Sequence, residues 1–392
     1  MAGLLLATAL LGACSNAKTT PLSAPPTSPA PLATAAPADP NVDWTTYDHD
    51  NARTGVGNIE PLKTPLRTAW QAKLDGAVYG QPLAVGTTIL AATENDTVYE
   101  LNADTGAVTW SAHLGTPVPR SDLPCGDIDP LGITSTMVYD PVTSLVFALA
   151  ETTGGAHTLY GIDVRTGKVA VRTGLEPPTG DRIAHQQRSA LTLWGGRIYV
   201  AYGGLYGDCG NYVGSVVSVT TAGTNPLHYA VPTAREGGIW APGGAVVAGN
   251  TLLYSVGNGS ATSGNSDGSD SVIALSPTLQ RTDLFVPTTW QEDNAQDLDL
   301  GSGDPAVLGN WVFIAGKRGV GYVLPVGRLG SGQVGQVDVC RAFGASAIAQ
   351  NMLVVPCGDG PRAVTIGADG KPSVRWQAKV AAGGSPTVGG GA

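Results

Sequence analysis

The chain has 392 residues, including 54 Gly and 28 Pro, and only 14% of it is charged. With 22 Lys and Arg against 31 Asp and Glu, it carries a net charge of −9. That excludes a helical bundle or coiled coil, which needs more Glu and Lys and far less Gly, and a nucleic-acid-coating surface, which needs an excess of base. A hydrophobic content of 42% can bury a large core, and the many Gly, Pro, Val and Thr predict an all-β protein with many turns.

The first predicted element is the apolar run at residues 4–13, LLLATALLGA. It is too short to cross a bilayer, which takes about 20 residues, but has the length of a signal-peptide core. Small residues then lead into Cys14, and Leu11-Gly12-Ala13-Cys14 resembles the lipobox of bacterial lipoproteins. The resemblance implies cleavage before Cys14 and a lipid on it, hence a membrane anchor on the outer face of the cytoplasmic membrane. A plain secretory signal is the alternative. Residues 17–40 are rich in Pro, Ala, Ser and Thr without an apolar period, which predicts an extended tether. The expected organisation is a signal peptide at 1–13, a lipidated cysteine and tether at 14–41, and one folded region at 42–392.

Setting Cys14 aside leaves Cys125, Cys209, Cys340 and Cys357, an even number that suggests two disulfides in a secreted chain. Three pairings are possible. Proximity in sequence favours Cys340 with Cys357, leaving Cys125 with Cys209. No C-x2-C or His pair accompanies them, which argues against zinc.

The folded region repeats itself. Trp70-Gln71-Ala72-Lys73-Leu74 recurs as Trp376-Gln377-Ala378-Lys379-Val380, and each is followed by a Gly-x-Pro junction and an apolar run. Weaker copies of the junction lie near Thr136, Ala190, Pro242, Pro305 and Ala347, at spacings of roughly 40 to 60 residues. One unit reads clearly: a strand at 88–93, a turn at Asn95-Asp96, a strand at 97–101, a turn at Asp104-Thr105-Gly106 and an outer strand at 107–111. Short strands at such a period predict a β-propeller of four-stranded blades. Seven blades are expected, with eight as the alternative. A strand around Trp70 precedes the first junction, and a last unit only begins before Ala392, so the last blade is expected to be truncated at the C-terminus.

The turn and Trp110 resemble the repeat of the pyrroloquinoline-quinone (PQQ) type propellers, Leu-x-Ala-x-Thr-Gly-x-x-x-Trp, and residues 161–170, GIDVRTGKVA, repeat it without the Trp. Residues 42–392 are similar to that family as a whole, which includes quinoprotein alcohol dehydrogenases, polyvinyl-alcohol dehydrogenases and an outer-membrane assembly lipoprotein. In the dehydrogenases the resemblance implies PQQ and Ca2+ at the central channel, with a stacking Trp, a Glu, an Asn and Asp residues around the metal, and a Lys or Arg on the quinone. Ca2+ takes carboxylate and amide oxygens and polarises a carbonyl that receives hydride. By that resemblance Trp240 is the stacking residue and Asn258 the amide ligand. Asp297 and Asp299 are the catalytic carboxylates, alternating on one face of a strand or extended loop, with Asp299 also on the metal. Lys317 and Arg318 contact the quinone. The family's Glu falls within residues 203–214, GGLYGDCGNYVG, which hold no Glu, leaving Asp208 as the substitute. No two cysteines are adjacent and no Cys-x-x-Cys-His haem site exists.

Three functions are therefore expected. The first is a lipid-anchored, extracytoplasmic propeller that binds a small ligand or a protein partner. The second is a PQQ- and Ca2+-dependent dehydrogenase of alcohols or sugars, and the third a sugar- or wall-polymer-binding module. The absent Glu and absent adjacent cysteines favour the first.

Overall fold

The computed structural model describes residues 43–57, 65–381 and 384–389. The signal region, Cys14 and the tether to residue 41 lie outside the described residues. The described residues form six antiparallel four-stranded sheets, each a meander in sequence order. In the first, Leu83–Val85, Thr88–Thr93, Thr97–Asn102 and Val108–His113 pair in turn, with Leu83 opposite Leu90 and Val98 opposite Ala112. The sixth runs Ala347–Ala349, Met352–Val355, Arg362–Ile366 and Pro372–Gln377. The expected all-β propeller is thus the observed fold.

The burial pattern explains the low charge. The middle strands are buried on both faces, because each sheet stacks face to face on the next. Val98 and Leu90 of the first sheet pack with Val146 and Ile162 of the second. Phe147 and Leu159 of the second pack with Val200 and Val217 of the third. Three further clusters join the third sheet to the fourth, the fourth to the fifth and the fifth to the sixth. Only the outermost strands show exposed alternation, as in Val108–His113.

A tryptophan and a glycine lock successive sheets at their outer edges. Trp110, on the outermost strand of the first sheet, donates its indole N–H to the Val164 carbonyl at 2.8 Å and covers the turn of the second sheet. A Cβ on Gly167 there would come within 2.8 Å of the ring, so only glycine fits. Trp70 does the same to the first sheet, donating to the Ala103 carbonyl at 2.7 Å above Gly106. Trp70 itself is not in a strand, contrary to expectation, since no described strand pairs with it.

Residues 43–57 form a strap along the innermost strands. The middle residues of those strands bond to it one after another. Ala84 exchanges bonds with Trp44, Tyr139 N donates to Thr45 O, Val247 N to Asn51 O and Ile348 N to Thr54 O, at 2.7–3.0 Å. Asn51 Nδ2 donates to Leu193 O at 2.8 Å, and Val388 N to Gly55 O at 2.7 Å. The strap covers edge-strand N–H and C=O groups that would otherwise lack partners. Arg53, 1% exposed, anchors it. Its guanidinium donates to the carbonyls of Gly243, Tyr47, Asp50 and Leu191 and to the hydroxyls of Thr46 and Thr192. Two disulfides form as proximity favoured, Cys125–Cys209 and Cys340–Cys357, with Cα separations of 6.0 and 5.8 Å.

Candidate functional site

The glycine-rich ends of two second strands make room for one indole. A Cβ on Gly203, at the end of Arg197–Gly204, would come within 2.8 Å of the Trp240 Cβ, and one on Gly257, just past Thr251–Val256, within 2.8 Å of its Nε1. Trp240 is half-buried against these bare backbones. Two cations lie over its ring. The Arg188 guanidinium carbon is 4.4 Å from the ring centroid, and Lys317 Nζ is 5.4 Å from it. A cation over an indole face is attracted by the ring quadrupole, typically by about 0.5–2 kcal/mol. Arg188 is fixed further by donating Nε–H to the Trp240 carbonyl at 3.2 Å.

Lys317 follows Trp311–Ala315 and is placed by its own N–H, which donates to the Asp299 carbonyl at 2.9 Å. Its ammonium holds both expected carboxylates, Asp297 at 2.5 Å and Asp299 at 2.9 Å. The two acids converge, but not on a strand. A short helix at Trp290–Gln296, absent from the sequence reading, ends on Asp297 in the left-handed conformation at φ 53°, and a tight turn follows Asp299. Asp297 stays exposed while the Asp299 carboxylate is fully buried. Burial raises the Asp299 carboxyl to about 6 against the opposing pull of Lys317. Burial also works against the Lys317 ammonium, but Asp299 and Asp297 outweigh it and raise its pKa. The loop is held from below, as Leu300 N donates to buried Asp270 at 2.6 Å.

The other expected residues divide. Arg318 pairs with Glu292 and Asp293, while Lys317 pairs with Asp297 and Asp299. Asp208 accepts the Tyr212 hydroxyl at 2.5 Å in the loop pinned by Cys125–Cys209. Asn258 follows Gly257 and accepts Gly237 N–H through its carbonyl at 2.8 Å. Arg188 feels the charges of Asp127, Asp299 and Asp208. Burial lowers the Arg188 pKa against that acidic surround. Among the described residues, no three His, Cys, Asp or Glu side chains stand where they could together hold a metal ion.

Sequence reasoning named Asp299, Lys317 and Trp240 as site residues, and placed His185-Gln186-Gln187-Arg188 before a blade strand at the channel mouth without giving Arg188 a role in binding. Its signal was its place, just before the junction at Ala190, where junction residues face the axis. Sequence reasoning passed over Glu94 and Glu151, which end second strands at the place Lys317 occupies in the fifth sheet. Both are buried, with Asp96 and His157 beside them. Burial, with Glu151 and Glu94 adding repulsion, raises Asp96 to about 9.

Comparison with known proteins places this arrangement. Residues 65–282 match the family described as outer membrane protein assembly factor BamB, a PQQ-like repeat family. The chain belongs to the PQQ-like β-propeller repeat family. Within it, the chain is 29% identical over 187 residues to the polyvinylalcohol dehydrogenase of Sphingopyxis sp. (strain 113P3), an alignment covering 46% of this chain and 25% of that enzyme. The fold is similar to quinohemoprotein alcohol dehydrogenase ADHIIG of Pseudomonas putida HK5, with a TM-score of 0.62 and 15% identity over 84% of this chain and 59% of that one. A europium-containing methanol dehydrogenase gives a TM-score of 0.65 at 15% identity, covering 88% of this chain and 72% of that one. At such identities the structural likeness speaks for the PQQ-like fold alone, and the chain spans a quarter of the curated enzyme it matches.

Proposed function

We propose that this PQQ-like propeller is an extracytoplasmic binding module that takes a flat, anionic ligand over Trp240. The observation that carries the reading is the pair of cations, Arg188 and Lys317, over the Trp240 ring. Such a recess offers a planar apolar surface and two donors for carboxylate or quinone oxygens. Two disulfides fit an oxidising compartment outside the cytoplasm. Anchoring to the membrane through a lipid on Cys14, with the tether holding the propeller off the surface, belongs to the same proposal.

Asp299 favours a second reading, a PQQ-dependent dehydrogenase of an alcohol or sugar. A carboxyl with a pKa of about 6 beside a Lys can hold or accept a proton near neutral pH. The residues fit the organic cofactor better than the metal. PQQ, when bound, supplies a quinone that accepts hydride. Trp240 would support its rings, with Arg188 and Lys317 binding its oxygens. The Ca2+ set does not assemble in the same way. The Asp208 carboxylate is engaged by Tyr212, and the Asp299 carboxylate by Lys317, so no step through a metal is derived.

Titration with PQQ, with and without Ca2+, tests both readings by Trp fluorescence and by dye reduction over a panel of alcohols. Quenching without dye reduction supports the binding module. Dye reduction that vanishes in Asp299→Asn supports the dehydrogenase. No quenching by PQQ or by a simpler aromatic polycarboxylate would overturn the anionic-ligand reading.

A further inference from the structure

The outer corner between two successive sheets is filled from one register position. On the outermost strand of the first sheet, Trp110 stands opposite Glu100, where the register slips by one residue, and it covers the Gly167 turn of the second sheet. The same slip recurs in the second, fourth and sixth sheets, and the residue in Trp110's place is Val171, Asp283 and Trp376 respectively. Val171 acts on the third sheet as Trp110 acts on the second, since a Cβ on Gly223 would come within 2.9 Å of its side chain. Trp194 and Tyr229 lie in the interface of the third sheet with the fourth. Between the fifth and sixth sheets Trp311 supplies the ring, 3.2 Å from where a Cβ on Gly370 would stand.

Asp283, on the fourth sheet's outermost strand Arg281–Phe285, departs from this pattern. Its carboxylate accepts from Leu329 N at 2.6 Å and from Gly330 N at 2.9 Å, and so ties the fifth sheet's turn without filling the corner. A cavity of about 190 Å³ lies there, between Ala248, Ala274 and Asp283 of the fourth sheet and Val326, Gly327 and Leu329 of the fifth. None of the residues that line it is aromatic. A Cβ on Gly327, at φ 71°, would meet no described atom within 4 Å, whereas one on Gly106 or Gly167 would meet an indole within 3 Å. Val326, on the cavity wall, is 38% exposed, so the corner communicates with solvent.

The corners that hold an indole show what would fit. An engineered apolar cavity of about 150 Å³ binds benzene, so this one has room for a somewhat larger ring. In the filled corners the indole N–H donates to the carbonyl of the residue directly after a third strand. That residue is Ala103 after Thr97–Asn102, and Val164 after Ala156–Asp163. In the fifth sheet the third strand is Val320–Pro325, and the residue after it is Val326.

We propose that the outer corner between the fourth and fifth sheets is a binding site for a free aromatic molecule of indole size. Its ring lies against Gly327 and its N–H donates to the Val326 carbonyl, as Trp110 does at Gly167 and Val164. The site shares no residue with the Trp240 recess, so it stands or falls independently of the anionic-ligand reading.

Calorimetric titration of the full chain with indole tests the proposal. A Kd of about 0.1–1 mM is expected for a ring of this size. 1-Methylindole lacks the donor and should bind about fivefold more weakly. Ala248→Phe places a ring in the cavity from its own wall and should abolish binding, and Asp283→Trp should do the same by putting an indole at Trp110's register position. Trp240→Ala should leave the titration unchanged. Soaking crystals of the parent chain with 5-bromoindole locates the ligand by the anomalous signal of bromine, and it decides the matter even where a variant does not fold. Bromine in the corner supports the proposal. Bromine only elsewhere, no saturable heat with indole, or undiminished binding in folded Ala248→Phe would overturn it. Equal affinity for indole and 1-methylindole would overturn the bond to Val326.

Discussion

Arg53 and Lys317 are both cations with a buried aspartate nearby, Asp304 for one and Asp299 for the other, yet their surroundings differ. Arg53 spends every arm of its guanidinium on fixed carbonyls and hydroxyls of the strap and of the third and fourth sheets, and solvent does not reach it. Lys317 has two carboxylates and an aromatic ring, remains half-buried, and shares that ring with Arg188. A charge whose donors are all consumed inside the fold can only hold the fold together. A charge that keeps donors turned to an aromatic recess can take a ligand. The same residue types thus separate into structure and function by how completely they are satisfied, not by how deeply they lie.

The most severe way to break this comparison is Arg53→Met. Removing a fully bonded buried cation leaves Asp48 and Asp304 without their counter-charge and several carbonyls without donors, and should cost about 3–5 kcal/mol in denaturant unfolding. Ligand affinity measured on the folded fraction should hardly change. A parallel loss of affinity would mean that the strap reports to the rim. Next is pH. Burial, with Asp304 adding repulsion, raises Asp48 to about 8, and burial raises Asp304 to about 7 and Asp299 to about 6. These acids are raised in the fold, so the folded state binds more protons than the unfolded chain from about pH 4 up to those values. Stability should therefore fall as pH rises through that window, and Asp96, raised to about 9, extends the fall to that pH. Urea midpoints between pH 5 and 9 read it, and Asp304→Asn should flatten the part below pH 7. A stability that rises with pH would show these carboxyls to be ionised in the fold.

Much of the propeller could be read because its signals are local. The Asp104-Thr105-Gly106 turn has its own cap, with Asn102 Oδ1 accepting from Asp104 N and Thr105 N at 3.1 and 3.0 Å, and such chemistry repeats in sequence. Trp240, Asp299 and Lys317 could be located through the segments that resemble the PQQ-type propellers. What escaped was long-range. Arg53 and the strap gain their meaning from innermost strands up to some 300 residues away, and nothing in residues 43–57 shows a period. Arg188 is one ordinary residue before a junction until Trp240 folds over it. The helix at Trp290–Gln296, absent from the sequence reading, is tied at its first turn by the Thr289 hydroxyl, which donates to Asp293 at 2.6 Å.

At the rim the comparison sharpens by separating affinity from stability. Arg188→Ala and Lys317→Met should each weaken an aromatic polycarboxylate by about 10- to 100-fold, the loss of one charge-assisted contact. The cost in unfolding should stay near 1 kcal/mol for Arg188→Ala, whose cation–π contact is modest, and reach about 3 kcal/mol for Lys317→Met, which leaves the fully buried Asp299 carboxylate without its counter-charge. Trp240→Ala should weaken the same ligand at least as much. Fluorescence titration and urea melts on the same samples read both quantities. Equal losses in both measurements for Arg188→Ala would place Arg188 with Arg53, as part of the scaffold.

Arg318→Met should do least, and for that reason it is the sharper control. Arg318 is the immediate neighbour of Lys317, and sequence alone pairs the two. In the fold its guanidinium turns to Glu292 and Asp293 on the short helix, away from the indole. Its loss removes a partly exposed ion pair and a helix contact, worth about 1 kcal/mol. Ligand affinity should stay within about twofold of the parent, a difference of under 0.5 kcal/mol. If affinity instead fell as far as in Lys317→Met, the helix would have to carry charge to the rim. The division between a satisfied pair and a ligand-facing one would then fail at the point where two adjacent cations ought to display it best.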